Sequence, residues 1–244
     1  MCGRYTDTKR DKAFLVRMGI AQAEIDFVPR YNLAPTQTAT VVACNSDGQP
    51  ELRRSRWGLI PFWAKDEKIG NSLVNARAEG IATKPAFRTS FRKRRCVVLA
   101  DGFFEWQKVP GGKQPIYIHL KEGRPFVFGG LWDRWNDLET FTIITVGPNE
   151  LMSSIHDRMP LILPEEAVER WLDPKTPTEA VSGLLQPHAA AEMDCFPVSP
   201  IVNTPKVDSP DCVKRVEPGA KLALERTVRR KKESQDEPML PGFG

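Results

Sequence analysis

Cys96-Val97-Val98-Leu99-Ala100-Asp101-Gly102-Phe103-Phe104-Glu105-Trp106 is the stretch from which the fold can be read. A β-branched apolar run meets a glycine and passes into an aromatic strand that holds one carboxylate, Glu105. Three more strand-like runs follow at 115–120, 125–132 and 141–146, with turns at Gly111-Gly112 and Glu122-Gly123. Short strands at this spacing predict a meandering antiparallel sheet or barrel at the centre of the molecule. Upstream, 38–44 and 51–57 flank Ser46-Asp47-Gly48 and read as a hairpin. Helices are expected on the periphery. One runs over 7–18 with Phe14, Leu15 and Met18 on one face and Asp7 or Thr8 as cap; another covers 165–172, and a third 177–186 opens after Thr176 as N-cap. Residues 30–35 read as a loop before Pro35, and 193–198 as a last strand. The expected fold is α+β: a single domain over 1–213 built on a mostly antiparallel, barrel-like sheet with peripheral helices, and a basic tail over 214–244.

Composition narrows the function classes. The chain has 244 residues, 41% of them hydrophobic, enough for one substantial core. No apolar run is long enough to span a membrane and no secretory signal precedes Cys2, so a cytoplasmic protein with no membrane partner is expected. Five cysteines at scattered positions fit reduced thiols better than a disulfide framework or a zinc site. With only three histidines and no phosphate-binding glycine loop, neither a metal nor a cofactor is expected. The net charge of +4 is concentrated near the end, where Lys214, Arg215, Lys221, Arg226, Arg229, Arg230, Lys231 and Lys232 face Glu217 and Glu225. The last stretch, 233–244, is polar and bears proline and glycine. It reads first as a terminus with little to bury, and second as an apolar peptide, Met239-Leu240-Pro241-Gly242-Phe243, able to dock on a partner, a replication-associated one if the chain acts on DNA.

Chemistry concentrates in a few places. Met1-Cys2-Gly3-Arg4-Tyr5 puts a thiol at position two, where loss of Met1 leaves an amine and a thiol on one residue. Their ordinary pKa values, ~7.7–8 and ~8.5, leave both partly nucleophilic at neutral pH. A 1,2-aminothiol condenses with an aldehyde and closes to a thiazolidine; the plain alternative is a small residue at a frayed end. Glu105 either faces solvent at an edge or is buried with a partner, and burial would raise its pKa towards proton-transfer use. His156, in the charged turn Ile155-His156-Asp157-Arg158-Met159-Pro160, is a candidate acid or base, or a structural histidine. Trp57-Gly58-Leu59-Ile60-Pro61-Phe62-Trp63 is either a packed corner or an aromatic surface on which bases stack. Lys84, Arg88, Arg92, Lys93, Arg94 and Arg95, interleaved with Phe87 and Phe91, form either a solvated face or a single-strand channel.

Six motifs stand in order: Cys2-Gly3-Arg4-Tyr5, Arg30-Tyr31-Asn32-Leu33-Ala34-Pro35, Trp57-Gly58-Leu59-Ile60-Pro61, Asn75-Ala76-Arg77-Ala78-Glu79, Asp101-Gly102-Phe103-Phe104-Glu105-Trp106 and His156-Asp157-Arg158-Met159-Pro160. The set closely resembles the SRAP family, the SOS-response-associated peptidases that crosslink to abasic DNA, over about residues 2–205. The resemblance implies an abasic-site sensor. Cys2 would form a thiazolidine with the lesion's aldehyde in single-stranded DNA, with self-removal of Met1 and AP-lyase activity attached. It implies supporting roles for Asn75, Glu105 and His156, phosphate contacts from Arg4, Arg77 and Thr145, and contact with neighbouring bases from Pro35 and Trp63. The family's next phosphate contact falls near Lys84-Pro85, and the tail beyond Lys214 has no counterpart. The implied partner is single-stranded DNA carrying abasic sites, bound by a monomer that is nucleoid-associated in a bacterium. Two other classes fit part of the pattern. An N-terminal-nucleophile hydrolase of the glutamine amidotransferase kind also starts Met-Cys-Gly, and a non-catalytic single-strand binder would use the same groove.

Overall fold

Among the described residues, alternating and β-branched runs become thirteen strands: β1 (Tyr5–Asp7), β2 (Arg30–Leu33), β3 (Thr38–Cys44), β4 (Pro50–Trp57), β5 (Asn75–Arg77), β6 (Arg95–Ala100), β7 (Gly102–Val109), β8 (Gly112–Leu120), β9 (Phe126–Trp135), β10 (Leu138–Val146), β11 (Met159–Pro160), β12 (Ile162–Leu163) and β13 (Met193–Pro197). The computed structural model describes residues 2–10, 12–20 and 27–217; Met1 and the sequence beyond 217, including most of the expected tail, lie outside them. β10, β4, β3, β6 and β9 pair in that order, and β9 returns to β10, closing a five-stranded barrel. Its hairpin is the expected one, with Thr38 opposite Arg56 and Cys44 opposite Pro50. The pairing of β4 with β10 is parallel, a departure from the meander. A second sheet, ordered β13-β8-β7-β1-β2, lies against the barrel.

One core joins the two sheets. Tyr5 of β1 packs edge-on against Trp57 (5.2 Å between centroids) and Phe128 (5.7 Å), Phe103 of β7 meets the same Phe128, and Trp57 stacks on Phe141. All five rings are fully buried, and such aromatic pairs contribute ~0.5–1.5 kcal/mol each beyond area burial. Trp57 is therefore core, with its indole N–H donating to Val74 O. A smaller cluster of Phe104, Tyr117, Val198, Val202 and Cys212 covers the outer face of β7 and β8.

The barrel wall is interrupted where it matters for the site. After Trp57 the chain leaves β4 at Gly58 (φ 128°), whose N–H still bonds Phe141 O at 2.8 Å. A Cβ at Gly58 would stand 2.6 Å from Gly70 O, so the two ends of the excursion touch backbone to backbone. The chain re-enters as β5, which takes up the parallel pairing with β10 (Asn75 opposite Ile143, Arg77 opposite Thr145).

Several expected elements differ. Asp7 ends β1 and does not cap a helix; its buried carboxylate takes a 2.7 Å ion pair from Arg10, and α1 covers only Lys12–Arg17, still burying Phe14 and Leu15. Residues 30–33 are a strand because β1 offers a partner; the restriction imposed by Pro35 reaches only Ala34. The basic stretch begins with α2 (Arg88–Lys93), α3 is Glu150–Ser153, and α4 (Val168–Leu172) follows a 3-10 turn at Glu165–Ala167. The expected helix over 177–186 is α5, Thr178–Ser182, with Pro177 in the cap position; Thr176 turns its hydroxyl to Asp173. At the end of the described chain, Val216 N–H bonds Pro197 O and Arg215 lies over Phe196.

The basic run is not uniformly a face. Arg94 forms a 3.1 Å ion pair with buried Asp133, and Arg95 is 2% exposed. Arg95 donates to the carbonyls of Phe91, Arg92, Trp171, Asp173 and Thr176, fastening α2 and α4 to the barrel. Arg95→Ala is expected to lower stability by about 3–5 kcal/mol, since five inward carbonyls lose their donor. Arg95→Lys should recover only part, lacking the fork geometry. Chemical denaturation of both variants checks this.

Candidate active site and nucleic-acid interface

Four residues from distant parts of the sequence converge. Cys2 precedes β1 and is fully buried, Asn75 opens β5, Glu105 sits in β7, and His156 follows α3. β7 pairs with β1 at Tyr5–Phe103 and Thr6–Gly102, and Phe104 N–H bonds Arg4 O at 3.0 Å, so each step towards Cys2 is matched by a step towards Glu105. Asn75 Nδ2 donates to Cys2 O at 2.8 Å, while its buried Oδ1 has no hydrogen-bond partner among the described residues. His156 is held by its N–H to Met152 O at the end of α3, a helix capped by Asn149 Oδ1 on Met152 N–H. Gln107 Nε2 ties the same turn to β7 through Ser154 O.

The protonation logic follows from burial. Burial first, and then the nearby Glu105 carboxylate, push the Cys2 thiol far above its ordinary range, so it keeps its proton at neutral pH. Burial likewise raises Glu105 above the ordinary 4.5, partly offset by His156, whose Nε2 lies 4.0 Å from Glu105 Oε2. His156 Nδ1 has two neighbours with opposite demands: Arg158 N–H donates to it at 3.0 Å, and Asp157 Oδ1 stands 2.8 Å away. A ring that accepts the Arg158 N–H at Nδ1 carries its own N–H at Nε2, on the side of Glu105.

Around this centre the other expected residues take distinct positions. Thr145 is buried on β10 beside Arg77; its Oγ1 is unpartnered among the described residues, and its carbonyl accepts from Arg158 Nη2 at 2.5 Å. Arg77 is exposed, and the stem of exposed Lys84 lies over Gly80. Arg4 is half-held by the chain: Nη1 donates to Asn32 Oδ1 (2.8 Å) and Val202 O (2.6 Å), Nη2 to Asn203 O, and the guanidinium lies over Trp106. Pro35 stands in a turn, Ala34–Gln37, where Thr36 adopts a left-handed φ of 73° and donates its N–H to Trp57 O.

The aromatic corner divides. Trp57 is core, whereas Phe62 and Trp63 are 56% and 48% exposed. Their turn is pinned by Phe62 N–H to Asp133 Oδ2, Ile60 N–H to Thr140 Oγ1 and Trp135 Nε1 to Ala64 O, with Arg94 over the Phe62 ring. A rigidly mounted, half-exposed indole suits base stacking. Sequence reasoning left Arg158, Asn32 and Trp106 unassigned. Arg158 forms a two-point ion pair with Glu79, and Asn32 donates to the carbonyls of Val202, Thr204 and Val207. All three lie inside motifs already singled out, which is the only local signal they carry.

The matches to known proteins agree with this architecture. Residues 1–205 match the family model described as SOS response associated peptidase (SRAP). The "Abasic site processing protein YoqW" of Bacillus subtilis is 44% identical over 222 residues, covering 87% of this chain and 99% of that protein. The "Abasic site processing protein HMCES" of Gallus gallus is 32% identical, covering 95% of this chain and 82% of that one. A solved protein of Bacteroides thetaiotaomicron superposes with a TM-score of 0.73 at 31% identity, covering 87% of this chain and all of that one. Fold, site and matches together lead to one statement: this chain belongs to the SRAP family.

Proposed function

We propose that this protein processes abasic sites by crosslinking itself, through Cys2, to single-stranded DNA that carries the lesion. The observation that carries this reading is the meeting of Cys2, Asn75, Glu105 and His156 in one half-buried cluster. The relatives named as abasic site processing proteins support the substrate class. The reaction begins with hydrolysis of the Met1–Cys2 peptide bond, by the chain itself or by an aminopeptidase, which consumes one water and frees the amine. His156 then donates a proton to the ring oxygen of the deoxyribose, the C1′–O4′ bond breaks, and the C1′ hydroxyl gives its proton to water, leaving the aldehyde. The Cys2 amine adds to C1′, and water leaves as an imine forms. The thiol then adds across the C=N bond: sulfur bonds to C1′, and the S–H proton passes by way of Glu105 to the nitrogen, giving the thiazolidine.

The raised thiol fits this order. A thiol that keeps its proton does not form stray thiolate adducts, and it reacts once Glu105 accepts that proton. Asn75 holds the Cys2 carbonyl and offers an amide that does not compete as a nucleophile. Arg77, Lys84 and Thr145 are assigned to flanking phosphates. Arg4 joins them, because a guanidinium has five N–H donors and three contacts leave some for a ligand. Pro35 and Trp63 are assigned to neighbouring bases. Lyase cleavage of the lesioned strand is a further outcome open to the same imine.

A denaturing gel tests the central claim. Wild type mixed with an oligonucleotide bearing one abasic site is expected to give a shifted, covalent band and Cys2→Ala none; absence of the band with wild type overturns the reading. The Glu105 carboxylate must be ionised to accept a proton, and burial raises its pKa. The crosslinking rate should therefore fall on acidification at a pH above the ordinary 4.5, and Glu105→Gln should be slow at every pH without that step. Quenched time courses across pH 4–8 check this. For non-covalent binding, Arg77→Ala is expected to flatten the plot of log affinity against log salt by about 0.7 for a single strand. Fluorescence anisotropy with undamaged oligonucleotide measures it.

A further inference from the structure

One buried carboxylate takes no part in this chemistry. Asp101, 3% exposed, lies between β6 and β7, against the end of β1 that is farther along the chain from Cys2. Its Oδ1 accepts from Thr6 Oγ1 at 2.5 Å, and its Oδ2 accepts from Thr8 N–H at 3.1 Å and from the Thr8 hydroxyl. Thr6 Oγ1 also meets Tyr117 Oη at 2.9 Å and Gly102 O at 3.2 Å, and Asp101 N–H donates to Thr6 O at 3.0 Å. The Tyr117 hydroxyl reaches this point only because position 102 has no side chain: a Cβ there would stand 2.2 Å from it. Among the described residues, no cation hydrogen-bonds or ion-pairs with Asp101. A carboxylate buried on hydroxyls and one amide, without a counter-charge, is costly compared with an apolar residue.

What the carboxylate supplies is register. β1 has three residues and pairs with β7 at only two positions, and its pairing with β2 is irregular between Tyr5 and Asp7. So short a ladder specifies register weakly, and a slip of one residue sends every side chain to the opposite face. We propose that Asp101 is a positioning residue: by gripping Thr6 and Thr8, with Tyr117 locking Thr6, it fixes β1 on β7 and so holds Cys2 against Glu105 and Asn75. It acts through β1 and touches no substrate. The inference rests on Cys2 being the reacting residue.

The test compares Asp101→Ala, Asp101→Asn, Thr6→Val and Tyr117→Phe with wild type, using the full chain with Met1 removed. For Asp101→Ala the single-turnover crosslinking rate at saturating abasic oligonucleotide should fall about 10–100-fold, the loss expected for a misplacement of about 1 Å. Its Kd for undamaged single strand should change far less than the rate, since Arg77, Lys84 and Trp63 are mounted elsewhere and Arg4 keeps its own hold on Asn32 and Val202. Asp101→Asn keeps an acceptor and should recover part of the rate. Thr6→Val and Tyr117→Phe leave the carboxylate in place and should fall between, which keeps the proposal testable if Asp101→Ala does not fold. A DNA-free readout separates this inference from the functional reading. Alkylation of Cys2 by iodoacetamide, mapped by peptide mass, should be faster in folded Asp101→Ala than in wild type, where the thiol is buried. Unchanged alkylation and unchanged maximal rate overturn the proposal, as do rate and affinity falling together with the folded fraction. Absence of crosslinking by wild type would overturn the functional reading while the alkylation result still judges the clamp.

Discussion

Closure of the barrel through a parallel pairing that is broken and then resumed is the constraint on which the rest depends. β10 takes β4 as its parallel neighbour at Trp57 and β5 at Asn75, with the intervening chain extruded from the wall. The break places an amide-bearing residue on the rim beside the N-terminal segment, and the extruded chain carries Phe62 and Trp63 outward on a pinned turn. A continuous strand at this place would have buried both features in the wall. The contact of Gly58 with Gly70 is the hinge pin of the arrangement, since neither position has room for a side chain.

The centre is built against its own stability. A fully buried thiol and a nearly buried carboxylate share a small volume, and burial favours the protonated form of both. The surrounding fold tolerates this because the aromatic core of Tyr5, Trp57, Phe103, Phe128 and Phe141 sits directly beneath. His156 stands at the edge of this pair, its Nε2 4.0 Å from Glu105 Oε2.

The sequence is most legible where periodicity is strong and partners are near. The hairpin of β3 and β4 and the run from β6 to β10 follow from alternation and turns, because antiparallel neighbours are adjacent in sequence. Residues 30–33 look like a loop because their partner, β1, lies far away. Arg95 looks like one cation in a solvated run because its carbonyl partners come partly from α4, about 75 residues on. Cys2, Asn75, Glu105 and His156 could be named from short motifs, but their meeting could not be derived from local pattern. The same applies to Arg4, whose hold by Asn32 and the 202–203 backbone has no local signature.

That hold ties the beginning of the chain to its far end. Asn32 fastens Arg4 and is itself fastened by the carbonyls of Val202, Thr204 and Val207, while Asp208 accepts from the backbone N–H groups of Tyr31 and Asn32. The family match stops at residue 205, inside this stitching. A chain trimmed at residue 205 would keep every motif and still lose the Val207 carbonyl and the Asp208 carboxylate from the seam that seats its N-terminal segment. The working unit of this molecule is set by where its hydrogen bonds close, and in this chain that lies beyond the end of the family match.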